Sequence, residues 1–374
     1  MTTDDTRLYA ALSDRVLTLD RDGGDWTTTE SLVGDDIECV AASDARPDRA
    51  FAGTVDSGVQ RTTDGGDTWE RVAPAIDDRV TSLAVSPHDP DVVWAGTEPS
   101  AVYRSSDGGE SWESLAPVTD LPSEPEWAFP PRPHTHHARW IEPDPTDPDR
   151  LYVSIEAGAL LRTTDGGETW EDRPGEYDDD AERSVDPESG PWGSPERTGG
   201  ARRDNHTLAT HPDRPGRVYA AAGDGYAQTG DGGDSWVYPQ AGLDHRYVWG
   251  MAVPDADPGT VVVSAATGAG NAHGRDSPEA YVYRTTDADA VETSAGTGAE
   301  GSNADRVRWE RAMDGLPDAA GTLRSVLAAA GGETLYAANN HGLFRSTDAG
   351  ATWTRTAVEW PGDGHTHPAA LAVV

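Results

Sequence analysis

Imidazole, guanidinium, carboxylate and indole groups gather in a few short stretches of this chain. They are His134 to Arg139, Arg203 to His206 and Asp244 to Trp249, with His273, Arg324 and His341 further on. Neutral imidazoles ligate divalent transition ions such as Zn, Mn, Fe or Ni, and an open position on the ion would support hydrolysis or elimination. His136, His206 and His245 are the first choices for such ligands, because each opens one of three successive repeats. Their separations follow the repeats and form no local motif of the HExxH kind. A second chemistry is recognition of an anionic or carbohydrate ligand. Arg139, Arg203, Arg246 and Arg324 could pair with a carboxylate or sulfate, Trp249 could stack on a sugar ring, and His273 and His341 would add polar contacts. Glu156 and Asp204 are the best candidates for the two carboxylates that glycoside cleavage requires. The plainest reading is that all these groups solvate a wide channel mouth and bond main-chain atoms.

The repeats determine which of these groups can meet. Residues 62–69 read Thr-Thr-Asp-Gly-Gly-Asp-Thr-Trp, and close copies lie at 105–112, 163–170 and 229–236; a fifth, at 346–353, has Ala349 in place of the first Gly. Eroded copies near Asp22 and Asp287 bring the number to seven. Self-similarity at a steady period signals a repeat architecture. Between the copies run short β-branched or small-residue segments bounded by Gly, Asp or Pro, for example 37–42, 50–54, 58–62 and 68–72. Four short antiparallel strands per repeat describe a propeller blade. In each turn the Asp (Asp64, Asp107, Asp165, Asp231, Asp348) is expected to accept main-chain N–H bonds, with Gly supplying the positive φ.

These turns resemble the Asp-box, or BNR, repeat of sialidase-like and glycosyl-hydrolase-like β-propellers, S/T-x-D-x-G-x-T-W, and the resemblance spans the whole chain. It implies an all-β, single seven-bladed propeller of four-stranded antiparallel blades covering residues 1–374. Blade one is expected to join residues 1–34 to a closing C-terminal strand at 366–374, with blades two to seven across 35–360. Insertions are expected at 115–133, 172–203 and 288–308. Sialidases have six blades, an Arg-Ile-Pro motif, an arginine triad and a Tyr nucleophile. This chain has seven repeats and no Arg-Ile-Pro, so the resemblance does not carry sialidase catalysis to it.

In a propeller, loops joining strand four to the next strand one, and strand two to strand three, share one face; the Asp-box turns lie on the other. By this rule nine of the eleven histidines fall on the face opposite the boxes, and only His88 and His211 fall on the box face. Arg132 and Arg275 are expected there too, with Glu98 and Asp244 as further carboxylates, and Trp127, Trp192 and Trp360 free to stack on a ligand. The expected function is binding of a small anionic or carbohydrate ligand at this His/Arg/Trp-lined mouth, with a divalent transition metal and metal-assisted glycan hydrolysis or lyase chemistry as its catalytic form. The alternative is a non-catalytic scaffold or assembly factor that meets a protein partner through 115–133 and 172–203.

Composition narrows the partners. The formal charge is −37, from 66 acidic residues against 29 basic ones, and every basic residue is Arg. Such a surface repels nucleic acid and anionic lipid, so neither is an expected partner. A dense carboxylate shell scattered over the whole length fits a salt-rich cytosol of the haloarchaeal type, where screening suppresses self-repulsion. Cys39 is the only cysteine, which excludes an intramolecular disulfide. The N-terminal residues show no basic-then-apolar leader and no apolar run approaches the roughly 18 residues of a membrane span; the expected location is the cytoplasm.

Overall fold

The computed structural model describes residues 6–172, 201–274, 276–291, 303–361 and 367–374. It shows a seven-bladed β-propeller. Seven separate antiparallel sheets form, each with its strands in sequence order, and the sheet of blade one runs Pro368–Val373, Thr6–Leu12, Arg15–Asp22, Asp25–Ser31. The C-terminal strand therefore supplies the innermost position of blade one, as the unpaired terminal segments imply, and leaves no open sheet edge at the seam. The innermost strands are Ile37–Ala42, Arg79–Val85, Ala138–Pro143, Asn205–Thr210, Tyr247–Ala252, Val326–Ala329 and Pro368–Val373; each packs on the next, and the last returns to the first. Blade five has three full strands, its fourth reduced to a single bridge between Gln228 and Val237. Among the described residues there is almost no helix, and no helix is long and apolar enough to cross a membrane.

The repeated turn explains its own sequence. In the first full copy Asp64 Oδ1 accepts the Thr68 N–H at 2.9 Å and the Thr62 hydroxyl at 2.8 Å, while Oδ2 accepts the Thr68 hydroxyl at 2.6 Å. Thr62 Oγ1 in turn accepts the Gly66 N–H at 2.9 Å. The same set recurs around Asp107, Asp165, Asp231 and Asp348. The hydroxyl and N–H of Thr68 hold the Asp64 carboxyl down at about 2. Both oxygens are spent on the turn itself. The turn's Trp then packs on the neighbouring blade, as where Trp69 meets Tyr9 edge-on at 6.4 Å. Buried aromatics near the start of the second strands, including Phe51, Trp94, Tyr152, Tyr219 and Tyr336, fill the blade interfaces. Tyr9 and Tyr219 donate across them to the carbonyls of Pro47 and Pro258 at 2.8 and 2.7 Å.

Of the insertions, 115–133 is wholly described. It makes two 3-10 turns, Val118–Asp120 and Glu124–Glu126, and buries Val118 and Trp127 in the core between blades three and four. Most of 172–203 and of 288–308 lies outside the described residues, as do Trp192, Arg275 and His365.

Candidate functional site

The site is built by a register irregularity that recurs from blade to blade. In five consecutive innermost strands the second or third residue is a bulge, skipped in pairing with the second strand: Glu38, Thr81, Arg139, His206 and Trp249. Ala369 occupies the same place in the strand that closes blade one. A bulge re-aims its side chain and strengthens the local twist. Five of these six residues, all but His206, line one cavity of about 210 Å³ at the mouth, with Arg79, Phe129, Arg132, His137, Glu156, His273 and Arg324. Beside it the channel wall turns apolar, lined by Val40, Leu83, Ile141, Met251, Leu327 and Leu371. The cavity is a polar cup beside an apolar wall.

Trp249 is the hub. The guanidinium carbons of Arg139 and Arg324 lie 4.5 and 4.7 Å from its ring centroid, and the rings of His206 and His273 lie 4.4 and 4.3 Å away. Arg324 donates to His273 Nδ1 at 3.1 Å and to the Pro368 carbonyl at 2.9 Å. With Nδ1 accepting, His273 keeps its proton on Nε2, which donates to the Tyr247 hydroxyl at 3.2 Å. Burial, reinforced by the Arg324 charge, pushes His273 down to about 2, so it is neutral at any ordinary pH. Burial also lowers Arg324, with the nearby Arg139 cation adding to it, to about 9.

Around the rim the other cations are paired. Arg132 grips Glu98 through two bonds of 2.6 Å, and Arg79 bonds Glu38. Glu156, in the turn between the second and third strands of blade four, accepts from His137 Nε2 at 3.0 Å and lies 3.5 Å from Arg139 Nε. Burial alone would raise the Glu156 carboxyl, but His137, His206 and Arg139 hold it well below the usual range. Arg324 differs from these: among the described residues it has no carboxylate partner.

Asp204 enters blade five beside this group. Its Oδ1 accepts the Ala157 N–H at 3.1 Å, and its Oδ2 lies 3.5 Å from His206 Nε2. His206 Nδ1 lies 2.7 Å from the Val248 carbonyl, to which it can only donate. Burial would lower His206, but Asp204 and Glu156 outweigh it and raise it. One group of potential metal ligands results: an atom each from Glu156, Asp204 and His206, all within 4.8 Å of one another.

The structure thus brings together Arg139, Glu156, Asp204, His206, Trp249, His273 and Arg324. It does not bring His136 and His245 to His206. His136 bonds Ser100 Oγ at 2.8 Å and Glu124 at 3.3 Å under the 115–133 segment, and His245 bonds the Tyr283 hydroxyl at 2.5 Å and stacks on Tyr281. Both lie two residues before the first residue of their inner strands, Ala138 and Tyr247, ahead of the bulge, and so turn outward to neighbouring loops. Arg203 pairs with Glu126, Arg246 is exposed, Asp244 pairs with Arg311 and His341 contacts the Gly321 carbonyl. Trp127 is buried core and donates to Ser123, and Trp360 packs against the blade seven side of blade one, so neither is free for a ligand. Sequence reasoning missed Glu38, Arg79, Thr81 and Phe129. For Glu38 and Thr81 the signal was their shared position near the start of each inner strand.

No family model matches the chain, and no curated protein matches it in sequence. Solved structures do resemble it. The YCF48 structure bound to D1 peptide is 17% identical over 86% of this chain and 82% of its own, with a TM-score of 0.51. YCF48 from Cyanidioschyzon merolae is 17% identical over 90% and 94%, with a TM-score of 0.53. An ancestral GH74 enzyme is 15% identical over 97% of this chain, which spans 47% of that enzyme, with a TM-score of 0.62. At these identities the likeness is one of fold: these neighbours too are seven-bladed β-propellers.

Proposed function

We propose that this chain is an Asp-box propeller of a salt-rich cytoplasm that binds a small anionic ligand, such as an acidic sugar or short carboxylic acid, in the cup around Trp249. The observation that carries this reading is Arg324. A half-buried guanidinium that lies over Trp249 and hydrogen-bonds, among the described residues, a neutral imidazole and a carbonyl retains donors and charge for a ligand anion. Four arginines (Arg79, Arg132, Arg139, Arg324) and two carboxylates (Glu38, Glu156) line the cavity, so its wall is locally cationic in a chain of charge −37. That contrast focuses anions into the cup. A cavity of about 210 Å³ is below the roughly 300–1,000 Å³ of drug-sized ligand pockets, which favours a ligand of one ring or a few carbons. Binding is favoured over glycoside cleavage, because a general acid needs a raised pKa and Glu156 is held ionised by His137 and Arg139.

Calorimetric titration with glucuronate and with glucose, at fixed ionic strength, tests this. The acid should bind, glucose should not, and Arg324→Gln should weaken glucuronate at least ten-fold while the protein stays folded. Equal binding of both sugars, no binding of either, or indifference to Arg324→Gln would overturn the reading.

A further inference from the structure

The geometry points to a divalent transition-metal site formed by Glu156, Asp204 and His206, next to the anion cup and not dependent on it. The three donors come from two adjacent blades and lie within 4.8 Å of one another. Each has one atom anchored by the protein and another left toward the group. His206 spends its Nδ1 proton on the Val248 carbonyl, which turns Nε2 inward as the ligating atom. That nitrogen belongs to a residue only 1% exposed and faces Asp204 Oδ2 at 3.5 Å. Asp204 Oδ1 is fixed by the Ala157 N–H, leaving Oδ2. His137 and Arg139 both address Glu156 Oε2, leaving Oε1.

Two main-chain features serve the same spot. Ala157, next to Glu156, sits at φ 53°, a conformation unfavourable for a residue with a Cβ, and Asp204 holds it there. Gly223 faces Asp204, and a Cβ at that position would overlap Asp204 Oδ2. Donors bound to one ion at about 2.0–2.2 Å lie no more than about 4.4 Å apart, so an inward shift of a few tenths of an ångström closes the site. One imidazole with two carboxylates suits Mn²⁺, Fe²⁺ or Zn²⁺ and leaves positions open for water or ligand. An ion held here would share Glu156 with the cup's wall, so a carboxylate clasped by Arg324 could also reach the metal.

The test uses the full chain, purified without an affinity tag and stripped with EDTA, titrated with Mn²⁺ alone. One equivalent should bind and raise the melting temperature. The spin-echo modulation of the bound Mn²⁺ should show one imidazole nitrogen. His206→Ala, Asp204→Ala and Glu156→Gln should each weaken binding at least ten-fold, whereas Glu113→Gln, in the outermost strand of blade three, should leave it unchanged. Absence of stoichiometric binding by folded wild type, or bound Mn²⁺ with no nitrogen coupling, overturns the site. The spectroscopic readout stands even if a variant fails to fold. Glucuronate binding in EDTA is a separate measurement, so failure of the metal site and failure of the anion cup are distinguishable.

Discussion

Asp204 Oδ1 accepts the main-chain N–H of Ala157 at 3.1 Å, and so ties the entrance of blade five to the turn of blade four that carries Glu156. The adjacent Gly158 N–H bonds the Arg203 carbonyl at 3.1 Å, so the two segments are stitched at successive residues. Asp204→Ala leaves a strained turn without its acceptor and should cost about 1–2 kcal/mol. Asp204→Asn keeps an acceptor oxygen and should lie near wild type. Chemical denaturation in EDTA checks both. Equal losses for the two variants would mean that the charge of Asp204, and not its bond to Ala157, supports the turn.

The repeated turn gives a second test, because one copy departs from its pattern. Ala349 occupies a left-handed position, φ 54°, where Gly65, Gly108, Gly166 and Gly232 sit at φ 72–77°. Ala349→Gly should stabilise by about 0.5–1 kcal/mol, since the positive φ costs glycine nothing. Gly66→Ala should do the opposite. Its φ is 94° and its new Cβ would overlap Thr18 Oγ1, so a loss above about 2 kcal/mol is expected. Denaturation midpoints of the two variants should move in opposite directions. Asp231→Ala, which removes the acceptor of three hydrogen bonds, should cost about 2–3 kcal/mol.

These turns were legible in the sequence because their physics is local: every bond to the Asp64 carboxylate comes from residues 62–68. The placing of His137, His206 and His273 on one face was legible too, since it needs only the order of strands. What could not be read was which members of one face meet. His206 and His245 both open inner strands, yet only His206 is a bulge residue and points to Trp249. Bulges arise from cross-strand register, which no single strand encodes. Trp127 likewise looked free because 115–133 carries no repeat signal, and the structure folds it into the core beside Trp94 and Ile155.

Charge makes the third prediction. With 66 acidic residues against 29 arginines, the fold carries net self-repulsion that salt screens. The Debye length falls from about 8 Å at 0.15 M to about 3 Å at 1 M. The melting temperature should therefore rise steadily as KCl goes from about 0.2 to 2 M. A flat profile would show that the arginine pairs across the blade seams, such as Arg49–Asp91, already neutralise the repulsion and that the fold needs no salt.

The pH dependence near neutrality should trace to Glu142, away from the cup. Its oxygens accept Trp140 Nε1 at 3.0 Å, the Thr210 N–H at 3.0 Å and the Thr210 hydroxyl at 2.8 Å. Burial outweighs these bonds and pushes the carboxyl up to about 7 from an ordinary 4.5. Between those values the folded state holds more protons than the unfolded chain, so this contribution is complete below about pH 4.5 and is lost as pH rises through 7. The loss is of the order of 1–3 kcal/mol. The repeat-turn carboxyls Asp64, Asp107 and Asp165 run the other way. Their hydrogen bonds, chiefly from the hydroxyls of Thr68, Ser111 and Thr169, hold them at about 2, so their contribution stands above about pH 4 and fails as pH falls toward 2. Melting temperature at fixed salt should therefore peak near pH 4–5, decline from there to about pH 7 and level off above it. Glu142→Gln should flatten that decline, at a baseline cost near 1 kcal/mol because its amide nitrogen cannot accept the Trp140 N–H. An unchanged slope in Glu142→Gln would shift the cause to another group that folding raises, with His206, raised by Asp204 and Glu156 against its burial, first among them.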